Sequence, residues 1–335
     1  MRSVLEFSAP PLVKTRKSAL ACPSHLPIAV TPRRRIFRVG SYAISVLCVA
    51  FSLLLSDTAL AQDKVAFYFA AHEDDWQLFM NPSAYFDVRS SATKVVFVYV
   101  TAGDAGAGTG NRGRLRPYYL ARENGAKQSV IFMADAEKDP VVPSDSAPLF
   151  AGHFVRRWQY GNTVSFFLRL PDGDMDGTGY AHTGLQSLKR LREGAIDVLS
   201  AIDGSSAYRG WSDLTATLRE VIVRERGQAR TVWFHLPETD TTANAHDHSD
   251  HLLTGLAVLD ASTDMPCINR ALYLDYVSAM LGENLDTSDQ QIKTATFTAV
   301  TLGINAFDHP GNWDSEHRAL LSRTYVRTMP AMVMC

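Results

Sequence analysis

Four short apolar runs, rich in β-branched and aromatic residues, most constrain how this chain can fold. Uninterrupted apolar runs of this kind are typical of strands that are buried on both faces of a parallel sheet. The four predicted strands are Lys64–Ala70, Lys94–Ala102, Thr163–Leu170 and Thr231–Leu236. A sheet of such strands needs helices on both sides to cover it.

Segments with apolar residues at helical spacing lie between and after these strands. Helices are predicted at Leu115–Ala134 and Trp211–Gly227, and a further helix is expected at Leu252–Ala261. The alternation of strands and helices predicts a single α/β domain with a Rossmann-like, doubly wound and mostly parallel sheet. The pattern is weaker and less regular from about residue 265, where Asn269–Leu281 is predicted to be helical.

Residues 1–61 are interpreted as a leader that precedes a domain spanning residues 62–335. A basic run (Arg33–Arg38), an apolar run (Val39–Leu55) and a small-residue cleavage site (Ala59–Ala61) together are typical of an export signal peptide. A membrane anchor is the alternative, but the cleavage site favours removal and leaves no stable membrane span. We therefore expect an exported protein, periplasmic or secreted, by the general secretory or the twin-arginine route.

The composition excludes two classes of protein. The formal net charge is -2 and 46% of the residues are hydrophobic, so neither a disordered chain nor a nucleic-acid-binding surface is expected. Of the four cysteines, Cys22 and Cys48 lie in the predicted leader. The remaining two, Cys267 and Cys335, either form one disulfide or stay as thiols.

Charged residues follow two of the predicted strands at the edge of the sheet where ligands usually bind. His72–Asp75 comes directly after the first strand, and His246–His251 follows the fourth. Because ligands bind beyond the carboxyl ends of the strands in open parallel sheets, the two segments can meet around a cation. Catalytic zinc typically takes three His, Asp or Glu ligands and keeps one position open.

Five short motifs, in order, resemble the PIG-L/LmbE family of zinc-dependent de-N-acetylases. The motifs are AAHEDD, VTAGDAG, ARENGA, LRLPDG and HSDH, and they extend from about Lys64 to Gly255. The resemblance implies an LmbE-like fold and a hydrolase that removes an acetyl group from an N-acetylated amino sugar. A glycan or glycolipid containing N-acetylglucosamine is the expected substrate.

The resemblance also implies roles for residues of the first and last motifs. His72, Asp75 and His251 would bind Zn²⁺, or another divalent metal. Asp74 would be the general base that takes a proton from the attacking water. His248 would stabilise the oxyanion or position the acyl group.

Two further residues, Arg122 and Asp172, would line the sugar-binding end of the site according to the same resemblance. The chain departs from the family pattern at Glu73, where proline is common, and at Trp76, where an acid is common. We expect a solvated side chain at Glu73. Trp76 either forms an aromatic wall for a sugar ring or packs inside the fold.

Three other segments have competing interpretations. Asp172–Gly177 spells the start of an EF-hand calcium loop, but Thr183 stands where a glutamate ligand is needed, so a turn beside the active site is favoured. Gly103–Gly113 lacks the glycine order of a nucleotide-binding loop, which favours a flexible loop on the substrate side. Phe307–His317 either contributes to substrate binding or forms a surface loop.

Two alternatives to an exported deacetylase remain. The chain could be a catalytically silent carbohydrate-binding protein of the same fold, or an amide hydrolase that acts on a non-sugar conjugate. Asp74 favours catalysis over binding alone, because a binder has no need of a base. The sequence leaves the exact substrate and the oligomeric state open.

Overall fold

The computed structural model describes residues 63–136 and 140–331. The predicted export signal and its cleavage site lie outside the described residues, and so does Cys335. Cys267 is disulfide-bonded. Within the described part of the chain, no helix is long and apolar enough to cross a membrane.

Twelve strands form in the described residues, and eight of them make one sheet. In chain order the strands are β1 (Lys64–Ala70), β2 (Thr93–Thr101), β3 (Ser144–Ser146), β4 (Leu149–Phe150), β5 (His153–Phe154), β6 (Arg156–Tyr160), β7 (Thr163–Leu170), β8 (Val198–Ser200), β9 (Ala207–Arg209), β10 (Thr231–Pro237), β11 (Ile268–Tyr273) and β12 (Val326–Met329). The main sheet has the order β12-β11-β10-β1-β2-β7-β6-β3, and two small hairpins pair β4 with β5 and β8 with β9.

Seven α-helices form in the same parts of the chain. They are α1 (Ser83–Arg89), α2 (Tyr118–Asp135), α3 (Leu188–Arg192), α4 (Trp211–Arg226), α5 (Ser249–Ala261), α6 (Thr287–Asn305) and α7 (Ser315–Ala319). A π-helical turn (Trp76–Met80) follows β1, and short 3₁₀ turns occur at Ala181–Thr183 and Tyr276–Met280.

The centre of the main sheet is parallel and its edges are antiparallel. Strands β11, β10, β1, β2 and β7 run parallel to one another, whereas β12, β6 and β3 pair in the antiparallel sense. From β1 the chain winds outward through β2 to β7, and it later returns to the other side of β1 through β10 and β11. The strand order therefore reverses between β1 and β10, where doubly wound sheets place their ligand sites. The predicted mostly parallel, doubly wound α/β fold is confirmed.

Apolar side chains bury both faces of this sheet. Successive side chains of β1 point to opposite faces of the sheet, and each face has its own hydrophobic core. Phe67 and Phe69 lie in one core, and Tyr68 and Ala70 lie in the other. Helices α3, α4 and α5 cover the first face, and α1, α2 and α6 cover the second. Burial on both faces explains why the central strands have uninterrupted apolar sequences.

The predicted helix at Asn269–Leu281 was wrong, whereas the four predicted strands form within one residue of their predicted ends. The first part of that segment is strand β11, and a single 3₁₀ turn follows at Tyr276–Met280. β11 lies between β10 and β12, where Leu272 and Tyr273 are buried and the backbone pairs on both sides. Pairing within the sheet therefore overrides the local helical pattern.

Helices α2 and α6 approach each other closely at two glycines. A Cβ atom built on Gly303 would lie 2.7 Å from the Cα of Gly125, and one built on Gly125 would lie 2.8 Å from the carbonyl oxygen of Val300. The two helices therefore pack closely against each other at these glycines. The chain segment that leaves α6 is therefore brought to the helix that carries Arg122.

Candidate metal centre

The first site segment is a buried turn at the carboxyl end of β1. His72, Glu73, Asp74 and Asp75 are each at most 4% exposed, and the π-helical turn begins directly after them. The carboxylate of Asp75 accepts a hydrogen bond of 2.8 Å from the backbone N–H of His72, which closes the turn. The segment thus points polar groups into the interior at the place where the strand order reverses.

The second site segment is the beginning of helix α5, which follows β10. His248 is the N-cap of the helix, and its Nδ1 accepts a hydrogen bond of 3.1 Å from the backbone N–H of Asp250. His251 lies one turn further on and is fully buried. Residues three apart on a helix share a face, so both imidazoles are presented to the end of β1.

The structure brings together the three predicted metal ligands. Nδ1 of His72 lies 3.4 Å from Oδ1 of Asp75, and Nε2 of His251 lies 3.3 Å from the same oxygen. The ligand atoms of these residues all lie within 4.8 Å of one another. Their binding of a metal stays a prediction.

The nitrogen of His251 that faces Asp75 has no hydrogen-bond partner among the described residues, although it is buried. Its other ring nitrogen, Nδ1, is 3.0 Å from a carboxylate oxygen of Asp247. A hydrogen on Nδ1 leaves the lone pair of Nε2 free, which is the arrangement of histidines that bind metals. Two imidazoles and one carboxylate form a donor set that zinc accepts, so the residues present fit a divalent ion.

Further carboxylates surround this triad, and the sequence interpretation assigned only one of them, Asp172. His72 also belongs to a group with Asp172, His248 and Asp250, and its Nε2 lies 3.6 Å from Oδ2 of Asp250. Asp250 is a member of the HSDH motif, so its place in that motif was the available signal.

Behind His251, the side chains of Asp247 and Asp275 form a further group. Asp275 lies just after β11, in the segment predicted as helix, and no sequence signal identified it. Burial and the neighbouring charge of Asp247 hold the pKa of Asp275 well above its usual range.

The electrostatics of the cluster favour positive charge between the two segments. Burial acts to lower the pKa of His72, but Asp75, Asp250 and Asp172 outweigh it and raise that pKa to about 10. The pKa of His251 is likewise raised, because the carboxylates around it outweigh its burial. Metal ions and protons compete for such nitrogens. A divalent cation is therefore a suitable replacement for the protons that the cluster otherwise attracts.

His248 differs electrostatically from its two neighbours. Burial, followed by the charge on His72, lowers its pKa to about 4. Because its Nδ1 accepts the backbone hydrogen bond from Asp250, the hydrogen of the neutral ring is on Nε2. That Nε2 lies 3.6 Å from Oδ1 of Asp172. His248 can therefore act as a neutral donor in the site.

Asp74, the predicted base, belongs to none of the groups that could hold an ion. Its Oδ1 accepts a short hydrogen bond from Nη2 of Arg122 on α2. Its Oδ2 accepts one of 2.6 Å from Nδ2 of Asn312, which comes from the segment after α6. Adjacent carboxylates thus have separate surroundings, Asp75 among imidazoles and Asp74 between two donors.

The expectation that Glu73 is solvated was wrong. Its side chain is 1% exposed and turns inward, with Oε2 lying 3.2 Å from Nε of Arg122. Burial raises its pKa to about 8, and Arg122 opposes that shift. Gly103 covers the pair, and a Cβ atom at Gly103 would lie 2.6 Å from the Glu73 carboxylate.

Trp76 packs inside the fold, which was one of the two interpretations of this residue. Its side chain is fully buried, and its Nε1–H donates a hydrogen bond of 2.7 Å to the hydroxyl of Tyr99. Its ring lies 4.6 Å from the ring of Phe97. It therefore supports the turn from beneath and offers no face to a ligand.

The loop after β7 is a turn beside the site. Asp172 faces His72 and His248, whereas the carboxylates of Asp174 and Asp176 accept hydrogen bonds from nearby backbone N–H groups of the same loop. Neither Asp174 nor Asp176 belongs to a candidate metal group among the described residues. The favoured interpretation of a turn over a calcium loop agrees with this geometry.

Two cavities adjoin the cluster on different sides. One, of about 510 Å³, includes Tyr118, Arg112, Arg114 and Asn312 in its lining, so it begins beside Asp74. The segment Phe307–His317 contributes to its wall.

The second cavity, of about 650 Å³, is mainly apolar and is lined by Met280, Leu320 and Tyr276 among others. The ring of Tyr276 lies 5.2 Å from the ring of His251. Both volumes are in the range of small-molecule sites.

No family model matches the chain, and no curated protein matches it. Among solved structures, an N,N'-diacetylchitobiose deacetylase from Pyrococcus horikoshii is similar with a TM-score of 0.43 and 13% identity, over 88% of this chain and 95% of that one. A deacetylase from the biosynthesis pathway of teicoplanin is similar with a TM-score of 0.39 and 14% identity, over 72% and 84%. Because both scores are low, neither similarity establishes an activity for this chain.

Proposed function

We propose that this protein is a metal-dependent hydrolase that removes the acetyl group from an N-acetylated amino sugar, such as a glycan or glycolipid containing N-acetylglucosamine. One observation supports this function above the others. Asp75 lies with two imidazole nitrogens in a set that suits a metal, while Asp74 stands outside that set, held by two donors. A ligand set beside a separate carboxylate is what metal-assisted hydrolysis requires.

The ion would be held by His72, Asp75 and His251. Zinc suits two imidazole nitrogens and one carboxylate best, and other divalent ions accept the same donors. When bound, the ion would act as a Lewis acid that polarises the amide carbonyl and makes water more acidic.

The residues of this chain then supply the proton transfers. Asp74 accepts a proton from the water that adds to the acetamide carbonyl, and Arg122 keeps its carboxylate in place. The Nε2–H of His248 donates to the carbonyl oxygen as negative charge develops on it. Asp74 returns the proton to the nitrogen as the carbon–nitrogen bond breaks, which yields acetate and a free amine.

The cavity beside Asp74 suits a sugar. Arg112, Arg114 and Asp314 are among its lining residues, and hydroxyl groups can hydrogen-bond to side chains of both charges. Asp172 faces the cluster from the opposite loop, between His72 and His248. We propose that Arg122 and Asp172 mark the end of the site that receives the sugar.

Export remains part of this proposal. The sequence of residues 33–61 supports a signal peptide, which would place the protein in the periplasm or outside the cell. Glycans of the cell envelope or the surroundings are substrates available there.

Acetate release tests the proposed activity. Purified mature protein would be incubated with N-acetylglucosamine, its oligomers and a lipid-linked form, before and after treatment with a chelator and after zinc is added back. We expect acetate from at least one sugar, loss after chelation and recovery with zinc.

An N-acetylated amino acid serves as the comparison substrate in the same assay. Acetate from it alone would favour a non-sugar amide hydrolase. Absence of chelator-sensitive acetate from every sugar, together with sugar binding, would favour a protein that binds carbohydrate without catalysis.

A further inference from the structure

The segment that joins α6 to α7 reaches across the molecule to Asp74. Asn312 lies in this segment, 238 residues after Asp74 in the sequence, and its Nδ2 donates a hydrogen bond of 2.6 Å to Oδ2. The same amide accepts a hydrogen bond of 3.4 Å at its Oδ1 from the hydroxyl of Tyr118. Since an ionised carboxylate can only accept, the amide nitrogen has to face Asp74. Its orientation is therefore fixed from both ends.

The segment is attached on two sides, so Asn312 is not on a loose loop. Nε2 of His309 lies 2.7 Å from the carbonyl oxygen of Arg116, and Arg114 donates to the carbonyl oxygen of Asp308. These contacts tie the segment to the chain just before α2.

The other side of the segment rests on helix α6. Trp313 stacks on Phe297 at 5.6 Å, and a Cβ atom at Gly311 would lie 2.4 Å from Cγ2 of Thr301. A glycine is therefore needed at position 311 for the chain to pass this close to the helix. The position of Asn312 is set by the packing of α6 and of the loop before α2.

Both oxygens of Asp74 are then engaged by donors from different elements. Arg122 holds Oδ1 from α2, and Asn312 holds Oδ2 from the segment after α6. A carboxylate held at one oxygen can still rotate about its Cβ–Cγ bond, whereas donors at both oxygens fix its plane. A base must keep a lone pair directed at the water, and small errors in such geometry cost large factors in rate.

We infer that Asn312 is a positioning residue for Asp74, and that residues 307–317 belong to the active site. This inference rests on the proposed role of Asp74 as the base. Asn312 is neutral, so it orients the carboxylate without placing a second positive charge beside it. The segment was noted in the sequence for its histidines and acids, but its asparagine is the residue that reaches the centre.

The test compares Asn312→Ala with two other variants. We expect Asn312→Ala to lower kcat by about 10- to 100-fold with little change in KM, since the substrate still binds and only the geometry of the base is lost. Metal content and melting temperature should match those of the wild type. Gln228→Ala is the matched control, because it removes an exposed side-chain amide from the loop between α4 and β10, away from Asp74, and its kcat should be unchanged.

Tyr118→Phe separates positioning from general packing. It removes the hydroxyl that holds Asn312 but keeps the aromatic ring, so we expect a drop of a few fold in kcat. In the Asn312→Ala background the same change should have no further effect, because its influence passes through Asn312. Additive losses, or a kcat for Asn312→Ala equal to that of the wild type, would overturn the inference.

Crystal structures of the wild type and of Asn312→Ala keep the inference testable without an assay. We expect the Asp74 carboxylate to rotate or to occupy two conformers in the variant. If the wild type releases no acetate, the proposed function fails and this comparison alone decides whether Asn312 positions Asp74. An unmoved, singly ordered Asp74 in the variant would reject the positioning role.

Discussion

His251 is held by a carboxylate on the side away from Asp75. The contact between its Nδ1 and Asp247, at 3.0 Å, fixes both the orientation of the ring and the nitrogen that remains free. The side chain of Asp247 is only 5% exposed, so a buried carboxylate orients the fully buried imidazole. The residue that contacts the far side of a proposed ligand therefore contributes to metal binding together with the ligand itself.

Replacing Asp247 by Asn should weaken metal binding without abolishing it. Loss of such a partner typically costs about 10- to 100-fold in metal affinity, because the ring loses its orientation and part of its basicity. Competition with a chromophoric chelator measures the affinity directly. Asp264→Asn, on the surface beyond α5, is the control. Equal zinc affinities for the Asp247 variant and this control would show that Asp247 does not support His251.

The turn after β1 shows which parts of the site a sequence can predict. The motif places His72 and Asp75 at the end of a buried strand, and the structure puts them there. Motif order says nothing about which way Glu73 turns, because a loop has no periodicity from which to infer burial. The inward side chain contacts Arg122, with 3.2 Å between Oε2 and Nε, and that contact joins residues far apart in the chain.

Helices α2 and α6 form the scaffold for both donors to Asp74. Their backbones meet at Gly125 and Gly303, where neighbouring backbone atoms leave no room for a side chain. The two helices can therefore pack in this register only because both positions are glycine and carry no Cβ atom. The position of Asn312 relative to Arg122 depends on the same register.

Gly303→Ala should destabilise the protein. Overpacking costs about 1–3 kcal/mol, which exceeds the gain of about 1 kcal/mol that alanine offers in a helix. Denaturant unfolding measures the difference. Gly110→Ala is a matched control, because no atom lies within 4 Å of a Cβ at that position. If both variants unfold at the same denaturant concentration, the close packing of the two helices is not a source of stability.

Lys293 on α6 makes the unfolding free energy of the protein depend on pH. Its side chain is fully buried, where its Nζ donates to the backbone carbonyl of Arg323 and to Thr324. Burial, with a smaller effect of Arg323, lowers its pKa from 10.5 to about 7. Between these two values the unfolded chain holds a proton that the folded chain lacks, so the contribution of Lys293 to the unfolding free energy rises with pH.

Lys293→Met should flatten this dependence. The slope attributable to one proton is at most about 1.4 kcal/mol per pH unit. Measured from pH 7.5 to 9, the unfolding free energy of the wild type should therefore rise relative to that of the variant as the pH rises. Parallel curves over this range would show that Lys293 keeps its ordinary pKa in the folded state.

At the level of the whole molecule, the strand order explains why two distant segments form one site. Uninterrupted apolar runs predicted four of the five parallel strands, because a strand buried on both faces has apolar side chains at successive positions. The short segment at Asn269–Leu281 was ambiguous, since a few apolar residues fit a strand or a helix until the neighbouring strand is known. The edge strands, and the segment after α6 that reaches Asp74, likewise depend on contacts between residues far apart in the chain.

The chain therefore joins three regions around one end of the sheet. The turn after β1 supplies His72, Asp74 and Asp75, and the start of α5 supplies His248 and His251. The segment after α6 completes the surroundings of the predicted base. We propose that ion binding and proton acceptance belong to adjacent but different carboxylates, those of Asp75 and Asp74.

Metal content and acetate release, measured together on the wild type and on Asp74→Asn, test that claim most directly. The variant keeps the shape of the side chain but removes its ability to accept a proton. We predict about one zinc ion per chain in both proteins, with acetate release only from the wild type. Loss of zinc together with activity would show that Asp74 is a ligand, and full activity in the variant would show that it is not the base.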